Sequence, residues 1–453
     1  MLEARRKAGK GKSTVHGTER IDNDHLFIGG VDATELAREY GTPLYVYDVA
    51  LIREKIQAYQ SAFRQQEPLI WQIAYASKAF STIAMIQLIN EYGLSLDVVS
   101  GGELYTALKA GFPAGQIHFH GNNKSDDELN MAIDAGVGAV IVDNFYELER
   151  LERFCAEKER TMSILLRVTP GVTAHTHEFI MTGHDDTKFG FNLDNGMADR
   201  AVRLAAAAKQ LKLIGIHFHI GSQMFETEGF ARAVQIVYDY AENWRDRFGY
   251  EMRVLNVGGG FGIRYTAGDH PLPATAYIDR IVAAVRWESG RRNLPMPAVW
   301  IEPGRSIVGE AGTTLYTLGS VKDIPGVRKY VSVDGGMTDN IRPALYGARY
   351  EAMSASRADE TADDPVTIAG KCCESGDVLI KESLLPHSSR PGDVLAVFCT
   401  GAYGYSMANH YNRLPNPAAI FVENGQADVV VRRETYDDLI RNDLLIREYS
   451  PRK

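Results

Sequence analysis

The chain has 453 residues, a formal net charge of −9, and 45% hydrophobic and 24% charged residues. That length exceeds what one hydrophobic core usually serves, so two domains are expected. The acidic balance argues against nucleic acid as a partner, and no apolar run is long enough to span a bilayer, which argues against a membrane protein.

The chain opens on its one long basic run, EARRKAGKGK, with no apolar h-region after it, so it does not read as a secretory signal. Residues 1–24 read as a leader without fixed structure. Residues 25–55 hold two strand-like pieces, HLFIGG and TPLYVYD. From about residue 70 one unit repeats: a short apolar run, a turn and a helical stretch. The runs are QIAYASK (72–78), LSLDVVS (94–100), IHFHG (117–121), AVIVDN (139–144), SILLRVTP (163–170), LIGIHFHIGS (213–222), VLNVGGG (254–260) and AVWIEPG (298–304). Helical patterns such as STIAMIQLINEYG and DDELNMAIDAG lie between them. Continuous apolar runs that alternate with helices are buried parallel strands. Eight such units point to a (β/α)8 TIM-like barrel over residues 56–308 rather than a doubly wound open sheet.

After about residue 310 the rhythm changes to strands without helices between them, as in TTLYTLGSVKDI, KYVSVDGG, DVLAVFCTGAYG and AAIFVENGQADVVVRRE. Residues 309–453 are therefore expected to form an all-β domain, an antiparallel sheet or small barrel, which the piece at 25–55 joins. The stretch HEFIMTGHDDTKFGF (177–191) is a candidate lid. The four cysteines, Cys155, Cys372, Cys373 and Cys399, form no CxxC pair, and no HExxH or other metal-ligand spacing appears. That pattern fits a reduced cytoplasmic protein without a structural zinc.

In a TIM barrel the chemistry sits at the C-terminal ends of the strands. Lys78 closes the first run, His219 and Ser222 the sixth, Gly258-Gly259-Gly260 the seventh, and Glu302-Pro303-Gly304-Arg305 follows the eighth. A glycine run lets backbone N–H groups approach an anion. Arg305 adds a charge-assisted contact and Ser222 a hydroxyl. A lysine amine, a phosphate cup and a carboxylate together suit pyridoxal 5'-phosphate (PLP), with Glu302 holding the ring nitrogen protonated so that the ring acts as an electron sink. Each residue also has a plainer reading: Arg305 in a surface ion pair, His219 as one face of an alternating strand, Lys78 as a snorkelling surface cation. Lys78 among small and apolar neighbours is expected near the core, where desolvation favours the neutral amine.

The motifs YASKAF, LDVVSGGEL, HFHGNNKS, HFHIGSQ, NVGGGFGIRY, EPGRSIVGEAG, VDGGMTDNIRPALYGA, CCESGD and CTGAYGYSMANHYN resemble the fold-type III PLP-dependent decarboxylases, and within them the bacterial branch that takes meso-diaminopimelate. They run in order from about residue 30 to residue 435. The resemblance implies that Lys78 is the Schiff-base lysine and that His219 stacks on the ring. It implies that Ser222, Gly259, Gly260, Pro303, Gly304 and Arg305 surround the phosphate, that Glu302 pairs with the ring nitrogen, and that Tyr403 lies near phosphate and substrate. Arg305, Arg342, Tyr346, Glu374 and Tyr403 are its substrate-binding candidates. Cys373, as proton donor, and Glu374 complete the neighbouring subunit's site in a homodimer. Asn416 departs from the basic residue expected in this family. Diaminopimelate carries a distal carboxylate that ornithine and lysine lack, and a planar guanidinium grips such a group through two parallel hydrogen bonds, which suits Arg342. The implied reaction is decarboxylation to L-lysine and CO2, the last step of lysine biosynthesis. The alternatives are a related amino-acid decarboxylase (ornithine, arginine or a carrier-linked substrate), a racemase, and a silent PLP-binding homologue.

Overall fold

The computed structural model describes residues 16–172 and 187–446. The chain divides into two compact units, one of residues 51–310 with 401–406, the other of residues 16–50, 311–400 and 407–446.

The first unit is a closed barrel of eight parallel strands: β1 (Trp71–Ala76), β2 (Ser95–Val98), β3 (Ile117–Phe119), β4 (Ala139–Val142), β5 (Met162–Thr169), β6 (Leu211–His217), β7 (Val254–Asn256) and β8 (Ala298–Ile301). The ladder runs from β5 through β8 and β1 to β4, which pairs back onto β5. Phe191–Asn192 adds a short parallel pairing to β5. Apolar runs close into a barrel here because both faces of each strand are covered: β2 and β4 are buried at every position. Inside, Ala139, Ile141, Leu165 and Val254 form a layer against which Ile214, Ala298 and Trp300 pack. The helices between strands carry their own start and stop signals. Asp126–Ala135 begins with a reciprocal Ser125–Glu128 capping box and ends at Gly136 with φ 69°.

The strands stop sooner than the apolar runs do. β6 ends at His217, β7 at Asn256 and β8 at Ile301. Gly258 at φ 70° cannot continue a strand. The motif residues therefore lie on the tails beyond the ladder, not in it.

The second unit holds a nine-stranded sheet that is mixed rather than antiparallel throughout. Its centre is the long strand Gly312–Ile324, flanked by Leu44–Asp48 on one side and Arg328–Val333 on the other. Leu44–Asp48 runs parallel to Ala418–Glu423, and Arg328–Val333 runs parallel to Ala362–Ala369. The hairpin Ala418–Glu423/Gln426–Val431 turns through Asn424 and Gly425, both at positive φ, the chemistry an Asn-Gly turn selects. A separate small sheet pairs Arg20–Asp22 with His25–Ile28 and that with Val31–Asp32.

The leader reading fails for its last part. Thr18 hydrogen-bonds Asp48 through its N–H and its hydroxyl, and Glu19 is buried against the hydroxyl of Thr313. Residues 1–15, and the lid reading of 177–191 as far as residue 186, lie outside the described residues. Among the described residues no helix is long and apolar enough to cross a membrane.

Candidate active site

The barrel gathers its polar side chains at one end. Lys78 sits in the single turn Ser77–Ala79 that follows β1, Asp97 is on β2, His120 is one residue past β3, and Asn256 is the last residue of β7. Glu302 is one residue past β8. Ser77 and Ala79 are buried, yet the Lys78 side chain is exposed. The expectation of a buried lysine is corrected for the single chain: the tight turn buries its neighbours and leaves Lys78 exposed. Lys78 is close enough to Asp97, Glu103 and His219 to act on their ionisation.

Glu302 is the most heavily partnered group. Asn256 Nδ2 donates to its Oε1 at 2.6 Å, and His217 Nε2 lies 3.1 Å from its Oε2. His120 Nε2 lies 2.8 Å from Oε1, within ion-pair distance, and 3.8 Å from Asp97 Oδ1. Burial pushes the Glu302 carboxyl up, but His120 and His217 outweigh it and hold it well below the usual carboxylate range. Asp97 goes the other way, raised to about 6, because burial dominates over the help of His120. Burial also drives His118 down to about 3; its ring stacks on Trp300 at 4.4 Å. His120, His217 and Glu302 bring ligand atoms within 4.8 Å of one another, a spacing that a metal ion could also use and that no regular sequence interval betrays.

His219 is half-buried and accepts the Gly259 N–H on Nδ1 at 3.2 Å. Burial first, then Lys78 and Arg167, hold it well below its usual range, so it is a neutral ring. The glycines are needed for backbone packing as much as for a cup. A Cβ on Gly259 would stand 2.1 Å from the Glu302 carbonyl oxygen, and one on Gly260 would stand 2.1 Å from that of Gly221. Gly260 keeps its N–H free of any protein acceptor among the described residues.

Arg305 is 7% exposed. It donates to Ser222 Oγ at 3.0 Å and to the Tyr265 hydroxyl, and its guanidinium lies 4.9 Å from the Tyr403 ring. Its Nε has no partner, and among the described residues no carboxylate pairs with it. The surface ion-pair reading of Arg305 is thereby corrected. A buried guanidinium without a counter-ion is costly unless an anion arrives. Together, uncompensated Arg305, the open N–H of Gly260 and the ionised Glu302 fit a cofactor with a phosphate at one end and a protonated ring nitrogen at the other. Tyr403 belongs to this unit: its N–H bonds the Ala79 carbonyl at 2.8 Å, and its φ is 66°.

The remaining candidates belong to the second unit. Arg342 opens the short helix Arg342–Tyr346 and is 8% exposed, so it is not a solvated loop arginine. Its Nε donates to the Tyr350 hydroxyl at 2.9 Å, and it stacks 5.5 Å from the half-buried Tyr346 ring. Cys373 and Glu374 are exposed, whereas Cys372 is buried, its thiol pushed up to about 11 by burial and by Asp377. Asp377 ties this loop to the one leading to Arg342, accepting the N–H of Met337 at 2.7 Å and of Cys372 at 2.8 Å.

Asp97, His120, Arg167, His217 and Asn256 were not singled out from the sequence. The repeat of HFH at 118–120 and 217–219 was the available signal, since histidines two apart on a strand share a face.

Against known proteins, the pyridoxal-binding domain of the pyridoxal-dependent decarboxylases matches residues 49–309. The chain is 59% identical to the diaminopimelate decarboxylase of Bacillus subtilis, over 95% of this chain and 98% of that one. It is 44% identical to the diaminopimelate decarboxylase of Mycobacterium tuberculosis, over 93% and 96%. Its fold is similar to the crystal structure of diaminopimelate decarboxylase from M. jannaschii in complex with L-lysine, with a TM-score of 0.88, 35% identity, and 95% and 98% of the two chains covered.

Proposed function

Because this chain belongs to the diaminopimelate decarboxylase family of pyridoxal-dependent decarboxylases, we propose that it removes one carboxylate from meso-2,6-diaminopimelate, releasing CO2 and L-lysine, the last step of lysine biosynthesis. The observation that carries the cofactor is the buried Arg305 without a counter-ion at the same barrel end as Lys78. Pyridoxal phosphate, when bound, supplies the electron sink that accepts the pair left behind as CO2 departs.

The chain's own residues do the rest. Lys78 provides the amine that holds the cofactor and later frees the product. Arg305, Ser222, Gly259 and Gly260 take the phosphate, with Pro303 and Gly304 shaping the tail around it. Since Ser222 and Tyr265 already use two nitrogens of Arg305, its spare Nε favours the phosphate over the substrate. The neutral His219 lies against the ring without adding charge to it. Arg342 grips the distal carboxylate, beside Tyr346, and Glu374 takes the distal ammonium; Tyr403 stands near both phosphate and substrate. Cys373, or a water it controls, returns a proton to the substrate Cα.

The exposure of Cys373 and Glu374 supports a homodimer in which this loop completes the neighbouring subunit's site. The four free cysteines support a cytoplasmic location. The test offers the purified enzyme with PLP an equal mixture of meso-diaminopimelate, lysine, ornithine and arginine, and reads the products by mass spectrometry. A net gain of lysine without cadaverine, putrescine or agmatine is expected. Any of those three amines as the main product would overturn the carboxylate-recognition role of Arg342.

A further inference from the structure

We propose that His217 is a positioning residue for the cofactor ring: with Asn256 it holds the Glu302 carboxylate in place from two sides, while the His120 ring stands beside them, its Nε2 2.8 Å from Oε1 but without a hydrogen bond to it. This rests on reading Glu302 as the partner of the ring nitrogen and deepens that reading.

The geometry is specific. His217 and Asn256, from the ends of β6 and β7, meet on the carboxylate that follows β8, with His120 from the β3 end beside it. His217 and Asn256 face each other across the β6–β7 ladder. The His120 and His217 rings meet edge to face, 4.9 Å apart. Asn256 Oδ1 accepts the Gly258 N–H at 3.0 Å, so the amide that grips Glu302 also fixes the glycine turn.

A carboxylate only accepts, so the nitrogen facing it must donate. That places the His217 proton on Nε2. His217 Nδ1 is buried without a partner. A doubly protonated ring would leave an N–H unpaired there, which is costly, whereas a bare ring nitrogen costs less. The arrangement therefore describes an uncharged imidazole, consistent with the downward push that burial gives His217.

The charge of the donors decides what Glu302 does. An arginine or lysine in their place would neutralise the carboxylate and weaken its hold on a ring-nitrogen proton. An uncharged His217 and the Asn256 amide fix its orientation and leave its negative charge to the ring. The charged and titratable groups facing this cluster fit that division. Asp97 lies beside His120, His118 is stacked on Trp300, and Arg167 is partly answered by Asp143 at 3.9 Å; Lys78 lies near enough to His219 to act on its ionisation.

The test compares His217→Leu with His217→Gln, because a glutamine amide reaches about as far as Nε2 and still donates. Three readouts are needed: affinity of the apoprotein for PLP, the visible absorbance of the bound cofactor from pH 6 to pH 9, and kcat with KM. In the leucine variant we expect kcat and cofactor affinity to fall about 10–100-fold. KM should move less than about threefold, and the cofactor band should change with pH differently from wild type. The glutamine variant should recover most of each loss.

Equal losses for leucine and glutamine, or a lowered Tm with an unchanged cofactor band, would overturn the proposal. If the leucine variant does not fold, His217→Asn, too short to reach Oε2, serves the same comparison. Added to Glu302→Gln, His217→Leu should cost nothing more if both act through the carboxylate; additive losses would again overturn it. The absorbance and affinity readouts need no substrate, so they stand or fall separately from the assignment of diaminopimelate.

Discussion

The two units handle their chemical groups in opposite ways. In the barrel, Glu302, Asn256 and His217 are buried and already hold one another, and the buried Arg305 is held by Ser222 and Tyr265. In the β unit, Arg342 is buried, but Cys373 and Glu374 stand exposed on a loop. The barrel thus carries a buried polar cluster organised within one chain, whereas the β unit leaves part of its candidate chemistry exposed. Cofactor binding and turnover are therefore separable properties, and substitutions can pull them apart.

The largest expected effect is in the barrel. Lys78→Ala should abolish turnover and the visible absorbance of covalently held cofactor, while leaving the secondary structure measured by circular dichroism intact, since the side chain is exposed. Retained turnover would remove the premise of the comparison. Next, Cys373→Ala should lower kcat about 10²–10³-fold with cofactor content unchanged by absorbance. Lost cofactor in that variant would mean that the exposed loop supports the cofactor site after all. Mixing Lys78→Ala with Cys373→Ala subunits should then restore activity, because one shared site of the hybrid dimer keeps both residues; no recovery would count against shared sites.

Third, Arg342→Ala should lower kcat/KM for diaminopimelate about 10²-fold, the loss of two charge-assisted hydrogen bonds. The measurement is steady-state kinetics against diaminopimelate, and a kcat/KM within about threefold of wild type would break the assignment. The smallest effect concerns stability. Asp339, deep in the β unit, bonds the Tyr316 hydroxyl and the Gly336 N–H. Burial raises its pKa to about 7 despite those bonds. The native state then keeps a proton that the unfolded chain releases near pH 4. Stability falls as the pH rises from about 4 to about 7, by at most about 1.4 kcal/mol per unit, and levels off above that. Urea midpoints across that range should decline in the wild type and decline less in Asp339→Asn.

How much of this could be read in advance follows from the physics of each signal. The eight barrel strands were legible because parallel strands covered on both faces leave continuous apolar runs. Their ends were not: β6 to β8 stop where the tails turn, while the residues stay apolar or small. The place of Lys78, the glycine triplet, Glu302 and Arg305 just past the strand ends was legible because each directly follows an apolar run. Tyr403 was not placed correctly by rhythm. Residues 401–406 leave the β unit for the barrel for six residues, too short a detour to disturb any periodicity. His120, His217 and Asn256 stayed hidden for another reason. Each looks like an ordinary strand residue, and only barrel closure brings the β3 end to the same carboxylate as the ends of β6 and β7. The mixed sheet likewise depends on which distant strands pair, which no local pattern records.

Strand Leu44–Asp48 lies between Gly312–Ile324 and Ala418–Glu423, one partner from mid-chain and one from near the end. On a ribosome this strand emerges early and must wait. At roughly 5–20 residues per second, tens of seconds pass before the chain is made through Glu423. The barrel, contiguous from residue 51 to 310 apart from its short return segment, can form in that interval. The apolar pentapeptide Leu44–Asp48 meanwhile has both edges unpaired, and an unpaired edge is what other nascent chains can join. Synthesis, not the finished fold, is when this strand is most open to pairing with another chain.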